Sequence, residues 1–485
     1  MQRNLFGSVV LVLASVVLAS CSGVTGSVCT LNCGGGGNAT VSFVLTATPP
    51  SPTSQLSIQA FTANITGITL FTGSGSSVNI PLTAASYIAE FNRVTSDSTL
   101  LAAKVSVAAG SYNSVQITFA SPRVTFCTQA NTGVPGCTAN SLASVSGPSG
   151  SATLSQNFSL VGNQQTGIAV NLNLGTALTT TGQTITALNL GATNAFAASS
   201  LPPASTLTDL TAGQLSHLDD IMGTVTAATS PTVTIHTTTR GDITAMTNSA
   251  TQFDCPANNF TCVQLNAVAI IDAVLNTDGT VTLTFYEPLL PASGDLIEGV
   301  VTDIPNTITN QFTLAVTDRV FALSGSILGS QVNLGDQIRV TLSATPTPFV
   351  VVPKGLSLPV GENFSGSTSV SSIHPGQTVA ILPVTFTAQS GATLGAATTS
   401  TVALRFSRIT GTMSTATIPV FNATNLPVFF GSTIIRGFLT TNGRLSLDGV
   451  PDLTSIPSGN TFSATALYLD PAIAPTFAAQ SVRAH

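Results

Sequence analysis

The segment LLAAKVSVAAGSYNSVQITF, Leu100–Phe119, contains two runs in which apolar and polar residues alternate, separated by a glycine-containing turn. Alternation with a period of two is typical of a β-strand that buries one face. The turn Ala109–Tyr112 resembles a tyrosine corner, in which a phenol hydrogen-bonds to the backbone where the chain crosses between two sheets. A buried tyrosine without that bond is the alternative, and in either case we predict that Tyr112 is structural.

The composition of the whole chain favours the same structural class. Only 7% of the 485 residues are charged and tryptophan is absent. Thr and Val, which favour strands, are abundant, while helix formers of the Glu/Lys/Arg kind are scarce. We therefore predict an all-β fold: an N-terminal Ig- or prealbumin-like β-sandwich followed by tandem small OB-like β-barrel modules. The net charge is −6 and the basic residues are scattered singly, so we exclude a nucleic-acid partner, which would need a basic patch.

The N-terminus has the features of an export signal. An uncharged and mostly apolar block, Leu5–Leu18, precedes Ala19-Ser20-Cys21, and it is too short to span a bilayer comfortably. The residues before Cys21 resemble the bacterial lipobox, which implies cleavage after residue 20 and a diacylglycerol on the Cys21 thiol. An ordinary signal peptide with an incidental cysteine is the alternative.

The lipobox resemblance also predicts where the protein resides. We expect a lipid-anchored protein at the outer membrane or cell surface, exported by the general secretory route. Ser22 rather than Asp follows the lipidated cysteine, which in enteric-type sorting is compatible with passage to the outer membrane. The membrane is then a partner through the anchor. A chain so poor in charge could instead be an outer-membrane barrel, but its C-terminus, SVRAH, lacks the terminal aromatic residue that such barrels usually show.

The cysteines fit an oxidising compartment. The chain has seven, an odd number that leaves one to explain in an exported protein. Assigning Cys21 to the lipid leaves three close pairs as disulfide candidates: Cys29 and Cys33, Cys127 and Cys137, and Cys255 and Cys262. No pair has the C-x-x-C spacing and the four histidines lack ligand spacing, so zinc is the weaker interpretation. We predict no metal and no cofactor.

Composition shifts divide the chain into predicted segments. A glycine-rich tether follows the signal peptide, and the Pro/Ser/Thr/Ala-rich stretch near residue 200 is predicted to be a linker between domains. The predicted segments are a signal peptide at 1–20, a tether at 21–38, a β-sandwich at 39–194, a linker at 195–215, and barrel modules at 216–291, 292–400 (with an insertion) and 401–485.

Two short elements recur in the C-terminal half. Glycine in the first element would permit a sharp bend in a strand that serves two edges of a closing sheet, and glycine in the second would make the turn before a strand. The first, Ile-x-Gly-x-Val/Met, occurs at Ile221–Val225, Ile297–Val301 and Ile409–Met413. The second, glycine followed by two polar residues and an apolar one, occurs at Gly335–Ile338, Gly376–Val379 and Gly459–Phe462.

These patterns resemble an uncharacterised family of acidobacterial and related surface lipoproteins. In that family an N-terminal sandwich domain of unknown function has a pattern close to Leu100–Phe119, and some members continue with tandem small β-barrels built around the two glycine elements. The chain departs from the family at TATPPSP (Thr46–Pro52), where Asp-Ala-Pro is usual, and at Pro346–Ser369, which fits no repeat unit. The resemblance implies an architecture and a location, and it supplies no activity or site residues.

Motif searches yield no catalytic set. The cluster SHLDD (Ser216–Asp220) combines a histidine with two aspartates, but we expect a solvated loop or edge-strand charge there. NTDGT (Asn276–Thr280) lacks the alternating acids of a calcium loop and is predicted to be a hairpin turn. Glu287 and Glu298 are too far apart in sequence to be assigned as a catalytic pair.

Two hypotheses of function follow. The first is a non-enzymatic surface module for binding, adhesion or structure, with a protein or glycan ligand that the sequence does not identify. Glycan binding is disfavoured by the absence of tryptophan and by only four tyrosines, because saccharides usually stack on those rings. The alternative is an extracytoplasmic hydrolase whose residues meet only in the fold, which would require His217, His236 or His374 beside an acidic residue in a pocket.

The lipid anchor predicts the behaviour of a single substitution. In Cys21→Ala the thiol that accepts the lipid is absent, so the protein should move from the detergent phase to the aqueous phase in a Triton X-114 partition of cell extracts. Unchanged detergent partitioning of the variant would count against lipidation.

Overall fold

The alternating strands near the N-terminus form two larger sheets and one separate two-stranded sheet in the computed structural model of the protein. The structure describes residues 37–485 except 131–134, 139–140, 202–209, 291, 306–309, 330, 359–361, 432–433, 447–452 and 471–474. The strands of this region are β1 (Asn38–Thr48), β2 (Ser57–Thr72), β3 (Ser77–Ile80), β4 (Tyr87–Glu90), β5 (Thr99–Ala108), β6 (Gly110–Cys127), β7 (Leu142–Ser146), β8 (Gly150–Leu160), β9 (Gln165–Asn173), β10 (Leu178–Thr181), β11 (Thr184–Leu188) and β12 (Phe196–Ser200). A short helix, α1, spans Leu174–Ala177.

The two larger sheets pack face to face over one hydrophobic core. One has the strand order β12-β9-β1-β5, and the other has β3-β2-β6-β7, with β4 beside β2 and β8 beside β6. Buried residues from both sheets, such as Phe43 and Phe61, belong to the same cluster, which is the arrangement of a β-sandwich. Phe196 in β12 also packs in this core against Phe119. The predicted linker at 195–215 therefore begins with a sheet strand.

The turn at residues 109–112 is a tyrosine corner, as predicted. Tyr112 is buried, and its hydroxyl donates a 2.9 Å hydrogen bond to the carbonyl of Ala108. Ala108 ends β5 in one sheet, and Tyr112 lies near the start of β6 in the other. The bond therefore fixes the point where the chain crosses between the sheets.

The described residues from 214 onward form three five-stranded barrels. Barrel 1 contains β13 (Gln214–Thr229), β14 (Thr232–Thr237), β15 (Gly241–Met246), β17 (Val268–Asn276) and β18 (Val281–Leu290), with a short β16 (Gln252–Phe253) beside β18. Barrel 2 contains β19 (Leu296–Asp303), β20 (Gln311–Val320), β21 (Gln337–Leu342), β23 (Thr378–Thr387) and β24 (Gly395–Thr417), with a short β22 (Val350–Val351). Barrel 3 contains β24, β25 (Val420–Thr424), β26 (Ile434–Ser446), β27 (Thr461–Tyr468) and β28 (Phe477–Ala484).

All three barrels have the same topology. The first strand pairs with the second and fourth, the second with the third, and the fourth with the fifth, while a parallel pairing of the third and fifth strands closes each barrel. This is the five-stranded closure of an OB-like barrel, so the predicted all-β fold class is confirmed. Barrels 2 and 3 share β24: its residues up to Arg405 pair with β23, and those from Phe406 to Thr412 pair with β27.

Glycine is required in the two repeated elements for two different reasons. In the first element, a Cβ on Gly223, Gly299 or Gly411 would meet a backbone carbonyl oxygen of the second strand of the same barrel, at His236, Ala315 and Thr424 respectively. In the second element, the glycines precede a strand with φ of +81°, +94° and +94°, at Gly335, Gly376 and Gly459. The first set therefore permits close approach of two strands, and the second makes left-handed turns.

Two of the predicted disulfides lie in the described residues and are present. Cys127 and Cys137 are joined with a Cα–Cα distance of 5.8 Å, and Cys255 and Cys262 with 6.4 Å. The predictions for the signal peptide, Cys21, Cys29 and Cys33 lie outside the described residues. The predicted hairpin is also present, because Gly279 has a φ of +77° in the turn between β17 and β18. In the part of the chain that the structure describes, no helix is long and apolar enough to cross a membrane.

Because two strands approach closely at the glycine of the first element, we expect a side chain at that position to lower the stability of the fold. Gly223→Ala should lower the free energy of unfolding by about 1–3 kcal/mol, because the new methyl group would collide with backbone rather than with a movable side chain. Gly67→Ala is the matched control, since a Cβ there lies 3.8 Å from its nearest neighbour. Urea denaturation of both variants tests this, and equal midpoints for the two would contradict it.

Candidate functional site

The segment SHLDD (Ser216–Asp220), which combines a histidine with two aspartates, lies in the interior of the molecule. Asp220 is in β13, the pairing of β13 with β17 shifts between Leu218 and Ile221, and Asp220 has a φ of +53°. Its side chain is 1% exposed. The expectation of a solvated loop or edge-strand charge is therefore wrong, because this bulge turns the carboxylate toward neighbouring domains.

Asp220 is surrounded by cations from other domains. Its carboxylate accepts from Arg93 Nη2 at 2.7 Å, from Arg405 Nη2 at 2.8 Å and from Arg408 Nη2 at 3.2 Å, and Lys354 Nζ lies 3.8 Å away. Its own backbone N–H donates to Asp272 Oδ1 at 2.7 Å. One carboxylate is thus shared by four positive groups.

The ion pairs extend outward from Asp220 into a network. Five cations and five anions take part: Arg93, Arg240, Lys354, Arg405 and Arg408 with Asp97, Asp220, Asp272, Glu298 and Asp318. The closest links between them, at 2.7–2.9 Å, include Arg93 to Asp318, Lys354 to Asp272, Arg405 to Glu298 and Arg408 to Asp97. We call this set the central ion network.

All four domains contribute to the central ion network. Arg93 belongs to a 3₁₀ turn of the sandwich, and Asp220 to barrel 1. Glu298 lies on β19 of barrel 2. Arg408 lies in the part of β24 that pairs with β27 in barrel 3. Lys354 is carried by the segment that matches no repeat unit, and it packs over the Phe406 ring at 5.1 Å.

Burial and ion pairing set the charge states of the network. Burial favours a raised pKa for Asp220, but Arg405, Lys354, Arg93 and Arg408 outweigh it and hold that pKa well below its usual value. Burial likewise opposes the charge of Arg93, yet Asp220, Glu298 and Asp318 raise its pKa. Charges of both signs are therefore stabilised by each other, as buried ion pairs require.

A cleft reaches the central ion network from the surface. Its cavity volume is about 90 Å³, and it is bordered by the sandwich, barrel 2 and barrel 3. Its apolar wall residues include Pro49, Pro50, Pro52, Leu56 and Ile58 from the sandwich and Phe406, Pro427, Phe429 and Phe430 from the barrels. Glu90, Arg93, Glu298 and Arg408 supply its charged residues. We call this feature the interdomain cleft.

Glu90 is a perturbed acid that lines the interdomain cleft. Burial raises its pKa to about 7, against hydrogen bonds that favour its charged form. Those bonds come from the backbone N–H groups of Phe61 at 2.8 Å, Arg93 at 2.7 Å and Asn92 at 3.3 Å. Glu90 therefore anchors the turn that carries Arg93, and sequence reasoning did not single it out.

The other acidic and histidine candidates lie elsewhere. Burial raises the pKa of Glu287 to about 8 near Arg405, but Glu287 does not border the interdomain cleft. His236 pairs with Asp242 at 2.6 Å where both side chains are about half exposed, and His374 Nε2 lies 3.5 Å from Asp470. Neither these histidines nor His217 border the cleft. Among the described residues no group of three or more His, Cys, Asp or Glu could hold a metal ion.

Comparisons with known proteins add little to this geometry. No protein-family model matches the chain, and no curated protein matches it. Among solved structures the chain is similar to drosophila Unr CSD456, with 7% sequence identity and a TM-score of 0.13, over 55% of this chain and 97% of that chain. A similarity at this level supports no argument about function.

Because several cations share the Asp220 carboxylate, we expect the removal of one of them to lower the stability of the fold strongly. Arg405→Met should lower the free energy of unfolding by about 3–5 kcal/mol, because Asp220 and Glu298 would each lose a buried partner. Arg339→Met, on the exposed face of β21, should change it by no more than about 0.5 kcal/mol. Urea denaturation monitored by circular dichroism tests the pair, and similar midpoints for both would show that the network does not need Arg405.

Proposed function

We propose that this protein is a lipid-anchored, extracytoplasmic module that binds a ligand without transforming it, and that the interdomain cleft is its binding surface. The cleft is the observation that carries the proposal. It combines apolar walls with a few convergent polar groups, which is the usual make-up of a ligand site. It also lies where three domains meet, a common place for such sites.

The charged groups of the cleft support binding rather than catalysis. Glu298 is held by Arg405 Nε at 2.8 Å, and Arg408 is held by Asp97 at 2.9 Å. Both oxygens of Glu90 accept backbone N–H groups. Side chains held in this way keep their position, whereas a general acid or base must reach its substrate to exchange a proton with it.

The location in this proposal rests on the sequence and on the disulfides. Two local disulfides are typical of proteins outside the cytoplasm, and the lipobox-like leader supplies the anchor. The described strands place Ser, Thr, Asn and Gln on exposed positions, so the surface is polar but nearly uncharged. Such a body on a lipid tether suits binding, adhesion or structure at the cell surface.

A second candidate, an extracytoplasmic hydrolase, is favoured by one observation. Glu90 borders the cleft with a pKa of about 7, a value suited to a general acid at neutral pH. The surroundings of Glu90 argue against this candidate, because its carboxylate is buried and already accepts hydrogen bonds from three backbone N–H groups.

A paired screen separates the two candidates. Full-length protein in detergent is tested for saturable binding on protein and glycan arrays, and for turnover of chromogenic ester, glycoside and peptide substrates. We expect saturable binding without turnover, because the cleft acids are fixed. Hydrolysis that disappears in Glu90→Gln would contradict the proposal and establish the alternative.

A further inference from the structure

Three buried side-chain polar atoms at the interdomain cleft have no partner among the described residues. They are Ser57 Oγ, Arg93 Nε and Thr317 Oγ1, although the other two nitrogens of Arg93 bind Asp318 and Asp220. All three residues border the cleft. A buried polar atom without a partner costs free energy, so such atoms in a cleft indicate where a ligand would form hydrogen bonds.

The charges at the cleft argue against an ionic ligand. Arg93 is paired with Asp220 and Asp318, at 2.7 and 2.8 Å. The central ion network as a whole contains equal numbers of cations and anions, so it presents no excess charge to a ligand. An incoming carboxylate would approach Glu298, and an incoming ammonium would approach Arg93 and Arg408, at a cost in either case.

The remaining lining complements an uncharged chain with apolar side chains. Phenylalanine and proline form the walls, and uncharged polar residues are interspersed among them: Ser51, Ser54, Gln55, Gln59, Asn92, Thr378 and Thr410. Hydroxyl and amide groups of this kind match the N–H and C=O groups of a peptide backbone. A saccharide fits less well, because the chain has no tryptophan and all four tyrosines are buried.

We propose that the interdomain cleft binds an uncharged peptide segment of a partner protein, with an apolar side chain against Phe429 and Phe430 and backbone groups hydrogen-bonded to Arg93 Nε and Thr317 Oγ1. This inference deepens the proposed function and rests on it. The partner is defined by chemistry: a neutral stretch of chain with an aromatic or aliphatic residue.

Blocked tripeptides test the charge preference. Full-length protein in detergent is titrated with acetyl-Ala-Phe-Ala-amide, acetyl-Glu-Phe-Ala-amide and acetyl-Lys-Phe-Ala-amide, and binding is followed by saturation-transfer NMR and calorimetry. The neutral peptide should bind most tightly, and both charged peptides should bind several-fold more weakly. A charged peptide that binds most tightly would overturn the proposal, as would binding of malto- or cello-oligosaccharides without binding of any peptide.

A neighbouring pair of substitutions tests the location. Ser54 borders the cleft. Thr53, the preceding residue of the same 3₁₀ turn, is exposed and does not border it. Ser54→Trp should weaken binding of the neutral peptide by roughly tenfold or more through steric exclusion, and Thr53→Trp should leave it unchanged. Equal loss in both variants, or loss in neither, would place the peptide elsewhere.

An isosteric substitution tests the hydrogen bond. Thr317→Val removes the hydroxyl with little change in shape and should weaken binding of the neutral peptide about fivefold. The control variant Thr385→Val, at an exposed position of β23, should leave this binding unchanged. Unchanged affinity in Thr317→Val would remove that contact from the proposal. If no peptide binds but the protein still partitions with detergent and binds a glycan or folded protein, the peptide inference fails and the proposed surface-binding function stands.

Discussion

The carboxylate of Asp220 is the point on which the domain arrangement depends. It lies on barrel 1 and is contacted by Arg93 from the sandwich, by Lys354 and Arg405 from barrel 2, and by Arg408 from barrel 3. A buried charge that loses its partner is strongly destabilising. We therefore expect the network to favour this relative arrangement of the four domains more than to add net stability. Although only 7% of the residues are charged, the charged residues of the central ion network lie in the interior because they pair with one another.

Two further features restrict movement between the barrels. The continuous strand β24 completes barrel 2 and begins barrel 3, so the two sheets share backbone. Between barrels 1 and 2, Met222, Val268 and Ile270 pack against Leu296 and Val320 in one apolar cluster. Apolar burial of this kind supplies the favourable free energy that a buried ion network does not. The barrels thus form one continuous body with the sandwich.

The interdomain cleft is a consequence of that fixed arrangement. Its walls come from three domains whose positions the central ion network holds, so a ligand would meet a surface that is already formed. Preorganisation lowers the entropic cost of association. Glu90 connects the two features, since its carboxylate holds the turn from which Arg93 reaches both the network and the cleft.

Local chemistry along the chain was sufficient to predict the all-β class, the tyrosine corner at Tyr112, the Asp278-Gly279 hairpin and two disulfides, because each depends on residues within about a dozen positions of one another. Asp220 was assigned to solvent because its partners Arg93, Arg405 and Arg408 lie 127, 185 and 188 residues away. One signal was available: Arg405 interrupts an apolar strand, and an arginine there needs a buried partner. Which carboxylate provides it, and that a cleft opens beside it, follows only from the packing of four domains, since the cost of burying a charge depends on what the fold brings within a few ångströms of it.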